Sequence, residues 1–177
     1  MKKIKPEDMV FIDESGILLG GSRAYGRSEK GTRVRELKPY YRGAKITLVG
    51  AISQQEVLAL MTLDGSLDGE AFKVFINDCL LPKLWPGAVV VMDSLPVHKL
   101  ASIVSKIEAV GASVIYLSPY SPDFNPIEMW WSQLKSFVFA FAPTTPAMID
   151  VLLSVALKLI DPEPLKNWFT HCCYCPS

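Results

Sequence analysis

Arginine is scarce in this chain and confined to one place. Of 177 residues only five are arginine, and all lie between Arg23 and Arg42. Cysteine is also sparse: Cys79 stands alone, while Cys172, Cys173 and Cys175 crowd into the last six residues. That distribution excludes a disulfide framework and reads as a protein of the reducing cytosol. The His171-Cys172-Cys173-x-Cys175 cluster lacks the paired C-x₂₋₄-C spacing of a zinc site, so it reads as a reduced, partly buried tail. Long apolar runs are missing. The best candidate, residues 148–160, is broken by Asp150 and Lys158 and falls short of the ~18 residues a membrane span needs. The apolar stretch after the N-terminal lysines covers only Met9 to Ile12, too short for a signal peptide. With no repeat and no low-complexity linker, residues 1–177 read as one soluble domain, and a 50% apolar composition suffices for its core.

Formal net charge is zero, with 18 basic and 18 acidic residues, but the charges are unevenly spread. Residues 21–45 hold eight basic side chains against Glu29 and Glu36, whereas residues 46–177 hold seven lysines against twelve acids. A basic segment on a mildly acidic body is the asymmetry expected where a polyanion is gripped at one place. Arg23, Arg27, Arg33, Arg35 and Arg42 interleave with Tyr25, Tyr40 and Tyr41. Arginine holds phosphate bidentately, so these five are the candidate DNA contacts.

The pattern of elements points to an α/β fold. Met9 to Ile12 reads as a buried strand that meets a turn at Asp13-Glu14-Ser15-Gly16, with Ile17 to Gly21 returning as a hairpin partner. Lys45 to Ser53 reads as a third strand. Phe72, Phe75, Ile76 and Leu80 recur at helical steps until Pro82. Val89 to Met92 is a continuous apolar strand ending at Asp93, residues 96–110 read as a helix, and residues 113–117 as a fifth strand. Asn125 is expected to cap a helix opened by Pro126, with Ile127, Trp131, Leu134, Val138 and Phe141 facing the core. A last amphipathic helix runs from about Thr145 to Ile160. The expected architecture is a five-stranded mixed sheet, three antiparallel strands followed by alternating units, with helices on both faces.

Two apolar strands thus end in aspartate, Asp13 and Asp93, and the carboxyl ends of parallel strands are where ligands bind. If the strands are neighbours, the two carboxylates repel unless a cation joins them, and Mg²⁺ favours such hard oxygen ligands together with phosphate oxygens. Glu128, in the first turn of the Pro126 helix and off its apolar stripe, supplies a third carboxylate. Each acid alone reads as a turn, cap or helix-dipole residue; the three together read as a metal site. Lys135 follows Glu128 by seven residues, about 20° away on the helical wheel, and can meet the same DNA. Trp130, Trp131, Phe137, Phe139 and Phe141 read as core or interface rather than base-stacking residues, and the apolar tract 136–160 as a subunit contact.

Phe11-Ile-Asp-Glu-Ser-Gly16, Val91-Met-Asp-Ser-Leu-Pro-Val-His98 and, most specifically, Tyr116-Leu-Ser-Pro-Tyr-Ser-Pro-Asp-Phe-Asn-Pro-Ile-Glu-Met-Trp-Trp-Ser-Gln-Leu-Lys135 resemble the catalytic domain of bacterial insertion-sequence transposases of the mariner superfamily, six-thirty type, with DDE endonuclease chemistry. The resemblance covers about residues 9–141 and implies a ribonuclease-H-like fold. It puts Asp13, Asp93 and Glu128 on the three catalytic, metal-binding carboxylates, with 34 residues between the second and third, the superfamily's spacing. Glu14 and His98 become candidates for supporting those ligands from behind. Family members commonly have Asp-Asn-Ala where this chain has Asp93-Ser94-Leu95. They also carry helix-turn-helix DNA-binding modules before the catalytic domain; here Asp13 is preceded by twelve residues, so those modules are expected to be absent from this polypeptide.

The implied activity is metal-dependent hydrolysis at element ends followed by strand transfer into target DNA, using two Mg²⁺ or Mn²⁺ ions, one to make the nucleophile and one to stabilise the leaving oxygen. The implied partners are DNA and further copies of the chain, in a bacterial cytoplasm and with no membrane. Two other readings stand beside it: a stand-alone nuclease of the same fold, and an inactive fragment that multimerises with a full transposase and regulates it.

Overall fold

Strand β1 runs unbroken from Met9 to Leu18, so the expected turn at Asp13-Glu14-Ser15-Gly16 and the hairpin beyond it do not form. Those four residues remain extended because each is paired with β2 (Lys45–Ser53): Asp13 with Gly50, Glu14 with Val49, Ser15 with Leu48, Gly16 with Thr47. A nine-position ladder outweighs the turn preference of a few polar residues. The molecule is a computed structural model that describes residues 4–20, 44–118, 122–172 and 174.

The third antiparallel strand is β3 (Val57–Asp64), which the sequence pattern did not announce. Its Val-Leu-Ala-Leu-Met-Thr-Leu run is poor in β-branched residues. The β2–β3 turn is built by Ser53, whose hydroxyl accepts from the amides of Gln55 at 3.2 Å and Glu56 at 3.1 Å. Next come helix α1 (Gly69–Val74), capped by the Asp68 carboxylate on Ala71 N–H, and a π-type continuation over Phe75–Leu80. Strand β4 (Val89–Met92), a 3₁₀ turn (Pro96–Lys99), α2 (Ala101–Ala109) and β5 (Ser113–Tyr116) follow. The chain closes with α3 (Ile127–Phe139), α4 (Pro146–Leu159) and α5 (Pro162–His171). The α5 segment lies beyond the last helix expected, which ended near Ile160; Pro162 sits in its first turn, where no amide is needed, and Asp161 caps Glu163 N–H at 3.0 Å.

The sheet order is β3-β2-β1-β4-β5, antiparallel through β1 and parallel across β1–β4 and β4–β5. This is the five-stranded mixed sheet expected, in the ribonuclease-H-like arrangement. Residue alternation sorts its two faces. Val10, Ile12, Val49, Ala51, Val90 and Met92 pack with Phe72, Ile103 and Ile107 under α1 and α2. Met9, Phe11, Leu48, Ile52, Val89 and Val91 pack with Trp130, Trp131, Leu134, Leu153 and Phe169 under α3, α4 and α5. On α3 the buried stripe is Ile127, Trp130, Trp131, Leu134 and Val138; Phe141, expected to face the core, lies beyond the helix and is 54% exposed.

Candidate active site

Asp13 is placed by β1 and Asp93 by the end of β4. The parallel register pairs Met9 with Val89, Val10 with Val90 and Phe11 with Val91. Asp13 lies two residues beyond Phe11 and Asp93 two beyond Val91, so both stand at the same end of these neighbouring strands, close enough for the charge of Asp93 to raise the Asp13 pKa. Asp13 shares its sheet face with Phe11, the face covered by α3. Glu128 stands in the first turn of α3, exposed, and one turn further Trp131 donates its indole N–H to Oδ2 of Asp13 at 3.2 Å. That bond ties the helix carrying the third acid to the strand carrying the first.

The charges of the three acids are coupled. Burial above all, together with the negative charges of Glu128 and Asp93, pushes the Asp13 carboxyl up from 3.8 to about 7, against the amide of Glu14 and the Trp131 indole, which lower it. A buried carboxylate facing two others is an arrangement that a bound cation relieves. Three hard carboxylate oxygens suit Mg²⁺ or Mn²⁺ rather than a soft thiophilic ion. Among the described residues no three His, Cys, Asp or Glu side chains close around a single point. Mg²⁺ commonly takes only one or two carboxylates, with water and substrate phosphate completing its octahedron, so the chemistry of these acids suits it although they do not close into a three-ligand site here. The donor set therefore fits the ion class that the sequence implied.

Asp93 is held more tightly than its position at a strand end required. Its Oδ1 accepts from His98 Nδ1 at 2.5 Å and from the amide of Leu95 at 3.1 Å. His98 is buried, packed 4.6 Å from the Phe72 ring, and its carbonyl accepts from the Tyr116 hydroxyl at 3.1 Å. Ser94 donates to the Leu117 carbonyl at 3.2 Å, tying the residue after Asp93 to the residue after β5.

Other candidates lie as follows. Glu14 alternates to the opposite sheet face from Asp13, its Oε2 buried with no hydrogen-bond partner among the described residues. Lys135 is on α3, two turns after Glu128 and half-buried. Arg23, Arg27, Arg33, Arg35 and Arg42 lie outside the described residues. Asn125 does not cap α3 through its side chain; its carbonyl accepts from Glu128 N–H at 3.1 Å, and its Oδ1 is buried without a partner. Beside it a cleft of about 380 Å³ opens between the start of α3 and the end of α5, lined by Asp123, Asn125, Glu128, Met129, Ser132 and His171.

Two site residues escaped the sequence reading: Gly50 and, in its polar role, Trp131. Gly50 pairs with Asp13 and lies beneath the stacked indoles of Trp130 and Trp131, whose centroids are 4.5 Å apart. A Cβ there would stand 2.6 Å from Trp130 Cζ3 and 2.7 Å from Trp131 Cη2. The only cue available was the glycine itself inside an apolar strand, a mark of close approach.

Among solved structures, the Mos1 mariner paired-end complex with Mn aligns with 94% of this chain and 53% of its own, at 16% identity and a TM-score of 0.74. A pre-cleavage Mos1 transpososome gives 94%, 53%, 14% and 0.71, and the catalytic domain of Mos1 mariner transposase gives 94%, 78%, 14% and 0.69. The chain thus spans about half the length of the transposase chains in those complexes. At such identities the likeness is one of fold. No curated protein matches the chain. A family model described as DDE superfamily endonuclease matches residues 8–147, an interval containing all three acids, and the chain belongs to that family.

Proposed function

We propose that this chain is the catalytic domain of a DDE transposase, cutting DNA at transposon ends and joining the freed 3′ ends to target DNA. The observation that carries this reading is the convergence of Asp13 and Asp93 on neighbouring parallel strands, with Trp131 drawing the helix of Glu128 to the same face. Asp13, Asp93 and Glu128 would hold the divalent metal, two Mg²⁺ or Mn²⁺ ions per site. When bound, these ions supply an activated water or 3′-hydroxyl and charge stabilisation for the leaving oxygen. The protein groups position them: the half-buried Asp13 is held by the Trp131 indole, Asp93 by His98 and the Leu95 amide, and Glu128 is left free at the open edge. Lys135 and the five arginines would hold phosphates along the duplex.

DNA is the proposed substrate and partner, and further copies of the chain the proposed assembly partners. Supporting the second point, α4 exposes Val151 at 62% and Leu159 at 69%, with Phe141 exposed nearby in sequence. Among the described residues no helix is long and apolar enough to cross a membrane.

The test is an assay with labelled element ends and a target plasmid in Mg²⁺ or Mn²⁺. Cleaved and joined products are expected from the wild type and neither from Asp93→Ala. Cleavage without joining would make the chain a nuclease, and nicking unaltered in Asp93→Ala would overturn the site.

A further inference from the structure

We infer that His98 is a positioning residue that makes Asp93 a one-oxygen ligand, reserving Oδ2 for the divalent ion. This rests on the metal-site reading above and adds to it which oxygen is offered and what enforces the choice.

A free aspartate carboxylate turns about a broad, two-fold torsion and can present either oxygen or both. Here the two oxygens are not equivalent. Oδ1 takes two donors, His98 Nδ1 at 2.5 Å and Leu95 N–H at 3.1 Å, which occupy its acceptor capacity. With Oδ1 engaged, Oδ2 is the oxygen left to meet a cation, and the Asp93 side chain is 42% exposed.

The histidine is built to do this. A carboxylate only accepts, so the short contact requires the proton on Nδ1. Nε2 is buried and meets no hydrogen-bond partner among the described residues, so the polar contact that holds the ring there is the one from Nδ1 to Asp93. The ring cannot swing away: it is 1% exposed and packed 4.6 Å from Phe72. Its backbone is fixed by the 3₁₀ turn, with His98 N–H on the Leu95 carbonyl at 3.0 Å and the Tyr116 hydroxyl on the His98 carbonyl at 3.1 Å. The five-residue separation is therefore one compact loop in which residue 95 and residue 98 both return to clamp residue 93. The usual metal-site triad, with a carboxylate orienting a histidine ligand, is here inverted.

The experiment uses the full 177-residue chain and Mn²⁺ alone as the probe, read by electron paramagnetic resonance titration and, separately, by plasmid nicking. His98→Gln moves the amide away from the Nδ1 position, whereas His98→Asn places an N–H₂ near it. We expect His98→Gln to weaken Mn²⁺ binding about tenfold or more, the range for lost outer support of a metal ligand, and His98→Asn to recover most of that loss. Equal Mn²⁺ affinity in wild type and His98→Gln overturns the inference, as does an Asn variant no better than Gln. The third measurement needs no variant: long-range nitrogen NMR of the wild-type imidazole, with only two histidines to assign, is expected to show the proton on Nδ1. A proton on Nε2 with none on Nδ1 would overturn the inference even if the substituted chains failed to fold. Asp93→Asn separates the two levels. If it binds Mn²⁺ normally, the metal-site reading itself fails; if it does not while His98→Gln does, only the role of His98 falls.

Discussion

Trp131 reaches back across 118 residues of sequence to donate its indole N–H to Oδ2 of Asp13. The ring is 1% exposed, so the donor is buried while the acceptor carboxylate is half-buried. Trp131→Phe keeps an aromatic ring but removes the donor. We expect a stability loss of about 2–3 kcal/mol, from a hydrogen bond to a charged acceptor plus the volume difference, measured by urea denaturation. Nicking should fall roughly tenfold, because the α3 helix is no longer latched to β1 beside the metal ligands. Unchanged nicking would mean that core packing alone sets the position of Glu128.

Gly50 leaves the space in which that latch operates. Gly50→Ala would press its Cβ to within 2.6 Å of Trp130 Cζ3 and 2.7 Å of Trp131 Cη2, with the strand backbone unable to withdraw from its β1 and β3 partners. The expected cost is about 1–3 kcal/mol of overpacking, together with loss of nicking as Trp131 is displaced from Asp13. Gly16→Ala is the control: its Cβ would meet only the flexible end of Lys45, at 3.0 Å. Equal melting temperatures for the two alanine variants would contradict this account.

The fold class was legible because it rests on local pattern, and the same kind of pattern singled out the three acids proposed for the site: the Val89 to Met92 run ending at Asp93, the helical stripe after Pro126, and the long motif around Glu128. Where the sequence misled, a non-local partner decided. Residues 13–16 carry turn chemistry yet stay extended because β2 pairs with them, and β3 was missed because Leu, Met and Ala form a strand only when β2 offers an edge. Asn125 has the look of a cap, but its carbonyl takes the amide of Glu128 while its side chain is buried. The count of three antiparallel strands agreed with expectation although one of the three was a different segment. The Trp131–Asp13 bond could not be read at all, and Gly50 offered only the cue of a glycine inside an apolar strand, since each depends on how α3 packs across the sheet.

The raised Asp13 carboxyl gives the metal-free chain a characteristic pH response. Burial, with Glu128 and Asp93 adding to it, lifts its pKa from 3.8 to about 7, so the folded state keeps a proton that the unfolded state has already lost. The stabilisation from that proton is complete below about pH 4 and disappears as pH rises through about 7. Asp13→Asn does not titrate. In the absence of divalent metal it should match the wild type near pH 4 and exceed it at pH 8 by an amount on the order of 2–4 kcal/mol. Chemical denaturation at the two pH values in chelator measures the difference; a gap that is constant with pH would show that Asp13 ionises normally in the fold.

If Asp13 is a metal ligand, as proposed, a divalent ion and a proton compete for its oxygens, which fixes how metal should act on stability. Ligand that binds only the folded chain adds about 2.7 kcal/mol at a hundred times its Kd, and for a chain of this length that corresponds to a rise in Tm of roughly 5–10 °C. The rise with Mg²⁺ or Mn²⁺ should be larger at pH 8 than at pH 6, because at the lower pH the proton on Asp13 must first be displaced. Asp13→Asn and Asp93→Asn should each abolish most of it, by removing a ligand oxygen from the shared site. Lys135→Ala should leave it intact, because a cationic side chain offers the ion nothing; its loss should appear instead as weaker DNA binding with a shallower salt dependence. Calorimetry of the four chains with and without metal distinguishes these outcomes, and a metal-induced rise that survives both aspartate substitutions would locate the ion elsewhere on the molecule.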